Sequence, residues 1–170
     1  MSATLVHVAL GSNLAHPRRQ LARAARALAR LPGTRVIEVS PNYRSAPVGA
    51  DGPQPDYVNA VVALRTTLSP RALLSALQAI ERRQRRRRDA ETRRNAPRTL
   101  DLDLLLFGRR RARQSGLTLP HPRMHERAFV LRPLADVAPT ATIPGVGLAR
   151  RLLRTVRDQR IARTRTHFLR

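Results

Sequence analysis

Asp101 and Asp103 stand two residues apart inside the apolar run 100–107, in a chain with 33 basic and only 11 acidic residues. In an extended strand successive side chains alternate faces, so both carboxylates project from one side while Leu100, Leu102 and Leu104 project from the other. Like charges held side by side cost energy unless a partner neutralises them, and the strongest partner for converging oxygens is a divalent cation. Arg98, three residues upstream, offers an alternative: an edge-strand aspartate pair held by arginine. Both readings stay open on this segment alone. The metal is preferred because buried ionised groups are seldom tolerated without a function.

Two other stretches carry polar groups that can do chemistry. Residues 118–129 hold His121, Arg123, His125 and Arg127, a set able to grip a polyphosphate through donated hydrogen bonds and compensating charge. The competing reading is a proline-bounded surface loop whose basic residues follow composition. A transition-metal site on His121 and His125 lacks a third ligand at convincing spacing. Residues 42–49 and 56–59 offer an aromatic ring, an amide and exposed backbone groups, the materials for holding a flat heterocycle. Alternatively, Asn59 is a strand-end hydrogen bonder and Tyr57 a core residue.

An alternation of strands and helices must position these groups. Residues 5–10 read as a strand ending at the turn Gly11-Ser12-Asn13. A helix follows between Pro17 and Pro32-Gly33, with Leu21, Ala24, Ala25, Leu28 and Leu31 forming an apolar stripe opposite Arg19, Arg23, Arg26 and Arg30. Residues 35–39 and 57–66 read as strands. Ser69-Pro70 opens a second helix that runs toward Arg88, with Ser as N-cap and Pro in the first turn. The strand 101–107 completes β-α-β-β-α-β, a ferredoxin-like α+β sandwich with a mostly antiparallel sheet covered by helices on one face and additional C-terminal helices. Residues 113–119 add a short edge strand, and 148–164 read as a basic amphipathic last helix. One domain is expected over 1–170, with a core at 4–147 and a basic helical tail at 148–170.

Composition narrows the chemistry. All 33 basic residues are arginine, giving a formal charge of +22. Such a surface attracts polyanions at low salt without specificity. The absence of lysine removes Schiff-base chemistry and the phosphate-loop lysine. With no cysteine there is neither a disulfide nor a thiolate site, which fits a reducing cytoplasm. The first residues carry no positive leader and no apolar run of spanning length, so neither a secretory signal nor a membrane span is expected.

Gly11-Ser12-Asn13, residues 43–47, residues 54–59, Pro97-Arg98-Thr99-Leu100-Asp101-Leu102-Asp103 and residues 119–129 occur in the order seen in the 6-hydroxymethyl-7,8-dihydropterin pyrophosphokinase family, which the chain resembles from Val6 to Ala138. The resemblance implies transfer of the β,γ-diphosphoryl unit of ATP to the pterin hydroxymethyl group, releasing AMP, in folate biosynthesis. It implies two magnesium ions held by Asp101 and Asp103, with Arg98 contacting ATP from the same segment and Arg86 and Arg88 as arginines of a mobile loop. Gln78, Glu81, Leu104, Thr118, His121 and Arg127 fall where the family contacts the nucleotide. Ser45, Ala46 and Val48 match residues that line the pterin edge, Tyr57 and Phe129 the aromatics around it, and Asn59 the amide that reads its hydrogen-bonding edge.

The chain departs from the family pattern at several points. The segment 85–97 is longer by about two residues than the common short form, Arg85 replaces a frequent glycine, Asn95 stands where many members place a tryptophan, and Gly116 where an arginine is often found. An RNA-binding module on the same fold would need stacking aromatics on an open sheet face, yet only Tyr43, Tyr57, Phe107, Phe129 and Phe168 exist. A metal-dependent nuclease would use the carboxylates but leave Tyr57 and Asn59 unexplained. No specific nucleic acid and no obligate protein partner is expected.

Overall fold

The computed structural model describes residues 2–49, 52–84 and 97–164. Strand β1, Thr4–Ser12, runs antiparallel between β4, Tyr57–Thr66, and β5, Asp101–Phe107. On the other edge of β4 lie β2, Thr34–Val39, and β3, Tyr43–Ser45. β3 is too short to carry a readable alternation, and it extends the sheet the sequence predicts.

The apolar stripes decide which helix covers which face. Helix α1, Pro17–Ala29, buries Leu21, Ala24, Ala25 and Leu28, and its Arg19, Arg23 and Arg26 face solvent. Helix α2, Pro70–Arg83, buries Leu73, Leu77 and Ile80; Ser69 caps it by accepting a hydrogen bond from the Ala72 amide at 3.2 Å. Both pack on Val6, Val8 and Leu10 of β1 and on Leu102 and Leu104 of β5. Each fully buried leucine in such a layer contributes roughly 1.5–3 kcal/mol. The expected continuation of α2 toward Arg88 lies outside the described residues.

The opposite face is covered as well, which corrects the expectation of helices on one side only. Helix α3, Ala128–Val137, and the single turn α4, Ala149–Leu152, bury Val130, Leu131, Leu134 and Ala149 against Val61, Leu105 and Leu106. A β-bulge explains how β5 serves both layers. His7 pairs with Leu106 and Val8 with Leu104, so Leu105 is the extra residue. The bulge turns Leu105 and Leu106 toward the second layer while Leu104 and Phe107 stay in the first.

Beyond β5 the predicted edge strand is a separate hairpin, β6 (Ala112–Gln114) with β7 (Leu117–Leu119), turning at Gly116 with φ +72°. A second small hairpin pairs β8, Thr142–Ile143, with β9, Gly147–Leu148. The predicted helix over 148–164 is corrected: after α4 comes a 3-10 turn, Leu153–Val156, and then β10, Ile161–Arg163, which pairs antiparallel with β3. β3 presents an open edge, and the chain satisfies those backbone groups with a strand.

Candidate active site

Asp101 and Asp103 lie at the start of β5, on the face opposite Leu102 and Leu104, and both line one cleft. Strand alternation thus delivers the two carboxylates together. Their spacing is locked from beneath: fully buried Glu81 of α2 accepts a hydrogen bond from the Leu102 amide at 2.8 Å. That amide sits in the peptide joining Asp101 to Leu102, so Glu81 acts on the strand that carries the pair. It does not line the cleft.

Arg98 reaches Asp101 Oδ2 from Nη1 at 2.7 Å. This is the ion pair of the alternative sequence reading, and it coexists with the paired-carboxylate geometry. Burial works against the Arg98 charge, but Asp101, Tyr57 and Asp103 outweigh it and raise the pKa above its ordinary value. The segment is anchored by Asn13, a 3 % exposed side chain. Asn13 Oδ1 accepts from the Arg98 amide at 2.8 Å, and its Nδ2 donates to Gln54 Oε1 and to the Pro55 carbonyl, each at 3.1 Å. One side chain therefore ties the arginine segment to the loop before Tyr57.

The other wall is built by β3 and β4. Buried Asn59 donates from Nδ2 to Ser45 Oγ at 2.9 Å, which turns its carbonyl oxygen toward the space over Gly11. A side chain at Gly11 would sit 3.4 Å from Asn59 Oδ1, 3.9 Å from Asp101 Cβ and 4.0 Å from Tyr57 Cδ1. Glycine keeps the floor open. Tyr43 Oη donates to Asp136 Oδ2 at 2.6 Å, and burial together with this bond pushes the phenol up to about 12. β3 is thereby pinned to α3.

Arg127 arrives from the loop before α3, its guanidinium carbon 5.6 Å from the centre of the Phe129 ring. Burial and the neighbouring Arg123 lower the Arg127 pKa, while Asp103, Asp101 and Glu126 oppose that shift. His121 Nε2 stands 3.9 Å from Asp103 Oδ2. Burial, reinforced by Arg127, holds the imidazole down at about 4. At neutral pH it is uncharged, so this contact is neither an ion pair nor, at that length, a hydrogen bond.

Together these groups enclose a cleft of about 260 Å³. It brings together Ser45, Ala46, Val48, Tyr57, Asn59, Arg98, Asp101, Asp103, Arg127 and Phe129. Gln78, Glu81, Leu104, Thr118 and His121 lie outside its lining, and the Leu104 side chain is buried in the first layer. Arg86 and Arg88, with Asn95, lie outside the described residues. The sequence reading passed over Leu10, Gly11 and Glu126 as wall residues. Gly11 and Glu126 fall within the runs 11–13 and 119–129; Leu10 carries no signal of its own.

Carboxylates, arginines and an aromatic-walled slot around one cleft are the equipment of a phosphoryl-group transferase acting on a planar acceptor. Residues 7–139 match the family model described as 7,8-dihydro-6-hydroxymethylpterin-pyrophosphokinase (HPPK), and the chain belongs to that family. It is 56% identical over 140 residues to a 2-amino-4-hydroxy-6-hydroxymethyldihydropteridine pyrophosphokinase of Pseudomonas aeruginosa, covering 82% of this chain and 83% of that one. The corresponding enzyme of Haemophilus influenzae is 42% identical, covering 91% of this chain and 94% of its own. A crystal structure of Plasmodium falciparum HPPK-DHPS superposes on 90% of this chain with a TM-score of 0.69. At 13% identity that likeness is one of fold, and this chain spans 44% of the other's length.

Proposed function

We propose that the cleft carries out the family's reaction with its two substrates on opposite walls, ATP beside Arg98 and Arg127 and the pterin between β3, β4 and Phe129. The reaction is diphosphoryl transfer from ATP, the co-substrate, to the hydroxymethyl group of 6-hydroxymethyl-7,8-dihydropterin in folate biosynthesis. The observation that carries the placement is the convergence of three carboxylates (Asp101, Asp103, Glu126), three arginines (Arg98, Arg123, Arg127) and an amide-bearing slot on one space.

Asp101 and Asp103 are the proposed holders of two magnesium ions. Among the described residues no group of three His, Cys, Asp or Glu side chains forms a ready-made metal site. Two carboxylates completed by substrate phosphate oxygens suit magnesium, which keeps few protein ligands. When bound, magnesium neutralises phosphate oxygens and favours attack at the β-phosphorus. Arg98 and Arg127 add fixed positive charge toward the phosphates, and the resemblance to the family adds Arg86 and Arg88 as proposed further contacts. Neutral His121 offers a ring N–H to a phosphate oxygen. Gln78 and Thr118, outside the lining of the cleft, are proposed nucleotide contacts on the family resemblance alone, Leu104 through its main chain, and Glu81 as support for β5.

On the pterin side, Tyr57 and Phe129 enclose the ring and keep water from the reacting hydroxyl. Ser45 holds the Asn59 donor, so the Asn59 carbonyl oxygen accepts from the ring's N–H edge; backbone at Ala46 and Val48 lines the rest. Asn59→Leu is expected to raise the pterin KM at least about tenfold, because a site built to hydrogen-bond its ligand loses that partner. The ATP KM stays within about twofold in steady-state assays varying each substrate. Equal changes in both would remove Asn59 from the pterin wall.

We further infer one domain over residues 1–170 acting in the cytoplasm, where ATP and the folate route meet, with neither an obligate protein partner nor a specific nucleic acid. No helix among the described residues is long and apolar enough to cross a membrane.

A further inference from the structure

We propose that Gln159 is a positioning residue for Arg127, and that residues 156–164 brace both walls of the cleft from outside the segment matched by the family model. The starting point is an unfinished helix end. α3 begins at Ala128, and its N-cap residue, Arg127, makes no side-chain cap hydrogen bond. The first amides of a helix have no partner inside it and must find one elsewhere. Gln159 supplies it: its Oε1 accepts from the Ala128 amide at 2.8 Å. The other end of the same side chain, Nε2, donates to the Glu126 carbonyl at 2.7 Å.

Those two groups belong to the peptide bonds on either side of Arg127. A single planar amide thus grips the residue fore and aft, as a neighbouring strand would. It holds Arg127 in an extended conformation, φ −125° and ψ 112°. From that backbone the guanidinium reaches the Phe129 ring and the field of Asp103 and Asp101. Without the grip, the junction between the 3-10 turn Met124–Glu126 and α3 has only its own backbone to set the direction of a long, rotamer-rich side chain.

Gln159 is itself held. Its backbone N–H donates to the Val156 carbonyl at 3.1 Å, and Val156 is 4% exposed in the second core layer. Two residues later β10 begins, pairing Ile161 with Ser45, the residue that orients Asn59. Residues 156–164 therefore touch the nucleotide wall through Arg127 and the pterin wall through Ser45. The family model ends at residue 139. Gln159 does not line the cleft, so it acts through Arg127 and not on substrate.

This rests on the reading that Arg127 contacts the nucleotide phosphates. The test is a double-mutant cycle on the full chain, with Gln159→Ala, Arg127→Ala and the pair, measuring kcat and both KM values alongside thermal midpoints. Misplacing a reacting or binding group by about 1 Å costs up to about 100-fold. Gln159→Ala is therefore expected to lower kcat/KM for ATP about tenfold, to leave the pterin KM within about twofold, and to have no further effect once Arg127 is alanine. Gln159→Glu keeps an acceptor for the Ala128 amide and loses the donor to Glu126; it shows the same ATP-selective loss and serves if the alanine variant does not fold. Additive losses in the cycle, or equal losses toward both substrates, would overturn Gln159 as a positioning residue for Arg127. A large loss in Arg127→Ala with wild-type kinetics in both Gln159 variants overturns it while leaving Arg127 on the nucleotide. Wild-type ATP kinetics in Arg127→Ala removes the nucleotide assignment itself, and the role of Gln159 with it.

Discussion

Asp103→Asn is expected to lower kcat by at least about 100-fold, and Asp101→Asn by a similar factor, with the fold intact in both. Each substitution keeps the side-chain shape and removes one negative charge where the proposed magnesium sites face the phosphates, and loss of a single preorganised electrostatic partner costs about 100- to 1000-fold. Stability moves little. Both carboxylates are partly exposed, at 24% for Asp101 and 34% for Asp103. The Asp101–Arg98 pair is the kind of contact worth about 0–1 kcal/mol. Steady-state rates at saturating magnesium and ATP, compared with urea midpoints, separate the two effects. A variant that retains more than a tenth of wild-type kcat would contradict the metal role of that carboxylate.

Acid is expected to weaken the fold through His7. Strand alternation in β1 places His7 opposite Val6 and Val8, between Ala63 of β4 and Leu106 of β5, and only 5% of it is exposed. Neither ring nitrogen has a hydrogen-bond partner. Burial holds this imidazole down at about 4, against 6.5 for the ordinary group. The unfolded chain therefore takes up a proton below about pH 6.5 while the folded chain does not until about pH 4, so stability is full above 6.5 and falls with pH across that window. The loss is on the order of 3 kcal/mol. His121, also held at about 4, adds a loss of the same sign. His7→Leu removes the first contribution and flattens the acid limb by that amount in urea unfolding at pH 7, 5.5 and 4.5. An unchanged pH slope in His7→Leu would mean that the buried imidazole does not govern it.

The elements that carry strong local signals are the ones the sequence makes legible. β4 runs over Tyr57–Thr66 as expected, α2 opens on the Ser69 cap, and the aspartate pair lies on one face of β5. Short and non-local features are not. β3 has three residues, too few for a period, and its place depends on β4 and β10. The basic amphipathic pattern of 148–164 resembles a helix, yet one turn gives way to the 3-10 turn Leu153–Val156 and then a strand, because β3 offers an edge that only a strand can pair. Tertiary pairing overrides propensity there.

The site divides the same way. Residues that line the cleft occur in recognisable runs such as Arg98 to Asp103. The partners of the residues that hold them are not legible in this way, even where the holder itself stands in a run as Asn13 does: Glu81 reaches Leu102 across 21 positions, Gln159 reaches Ala128 across 31, and Asn13 reaches Arg98 across 85. A buried glutamate or a lone asparagine has no pattern that names its distant partner. The helix coverage of both sheet faces was hidden for a related reason, since the Leu105 bulge that lets one strand serve two layers leaves no mark in an unbroken apolar run.

Diphosphoryl transfer at this cleft is read directly by nucleotide product analysis with purified protein, magnesium, ATP and 6-hydroxymethyl-7,8-dihydropterin, in moderate salt so that the +22 surface does not trap polyanions. AMP and the pterin diphosphate forming in equal amounts, only when the pterin is present, is the predicted result. ADP with a pterin monophosphate, or nucleotide breakdown independent of the pterin, would contradict diphosphoryl transfer at this cleft.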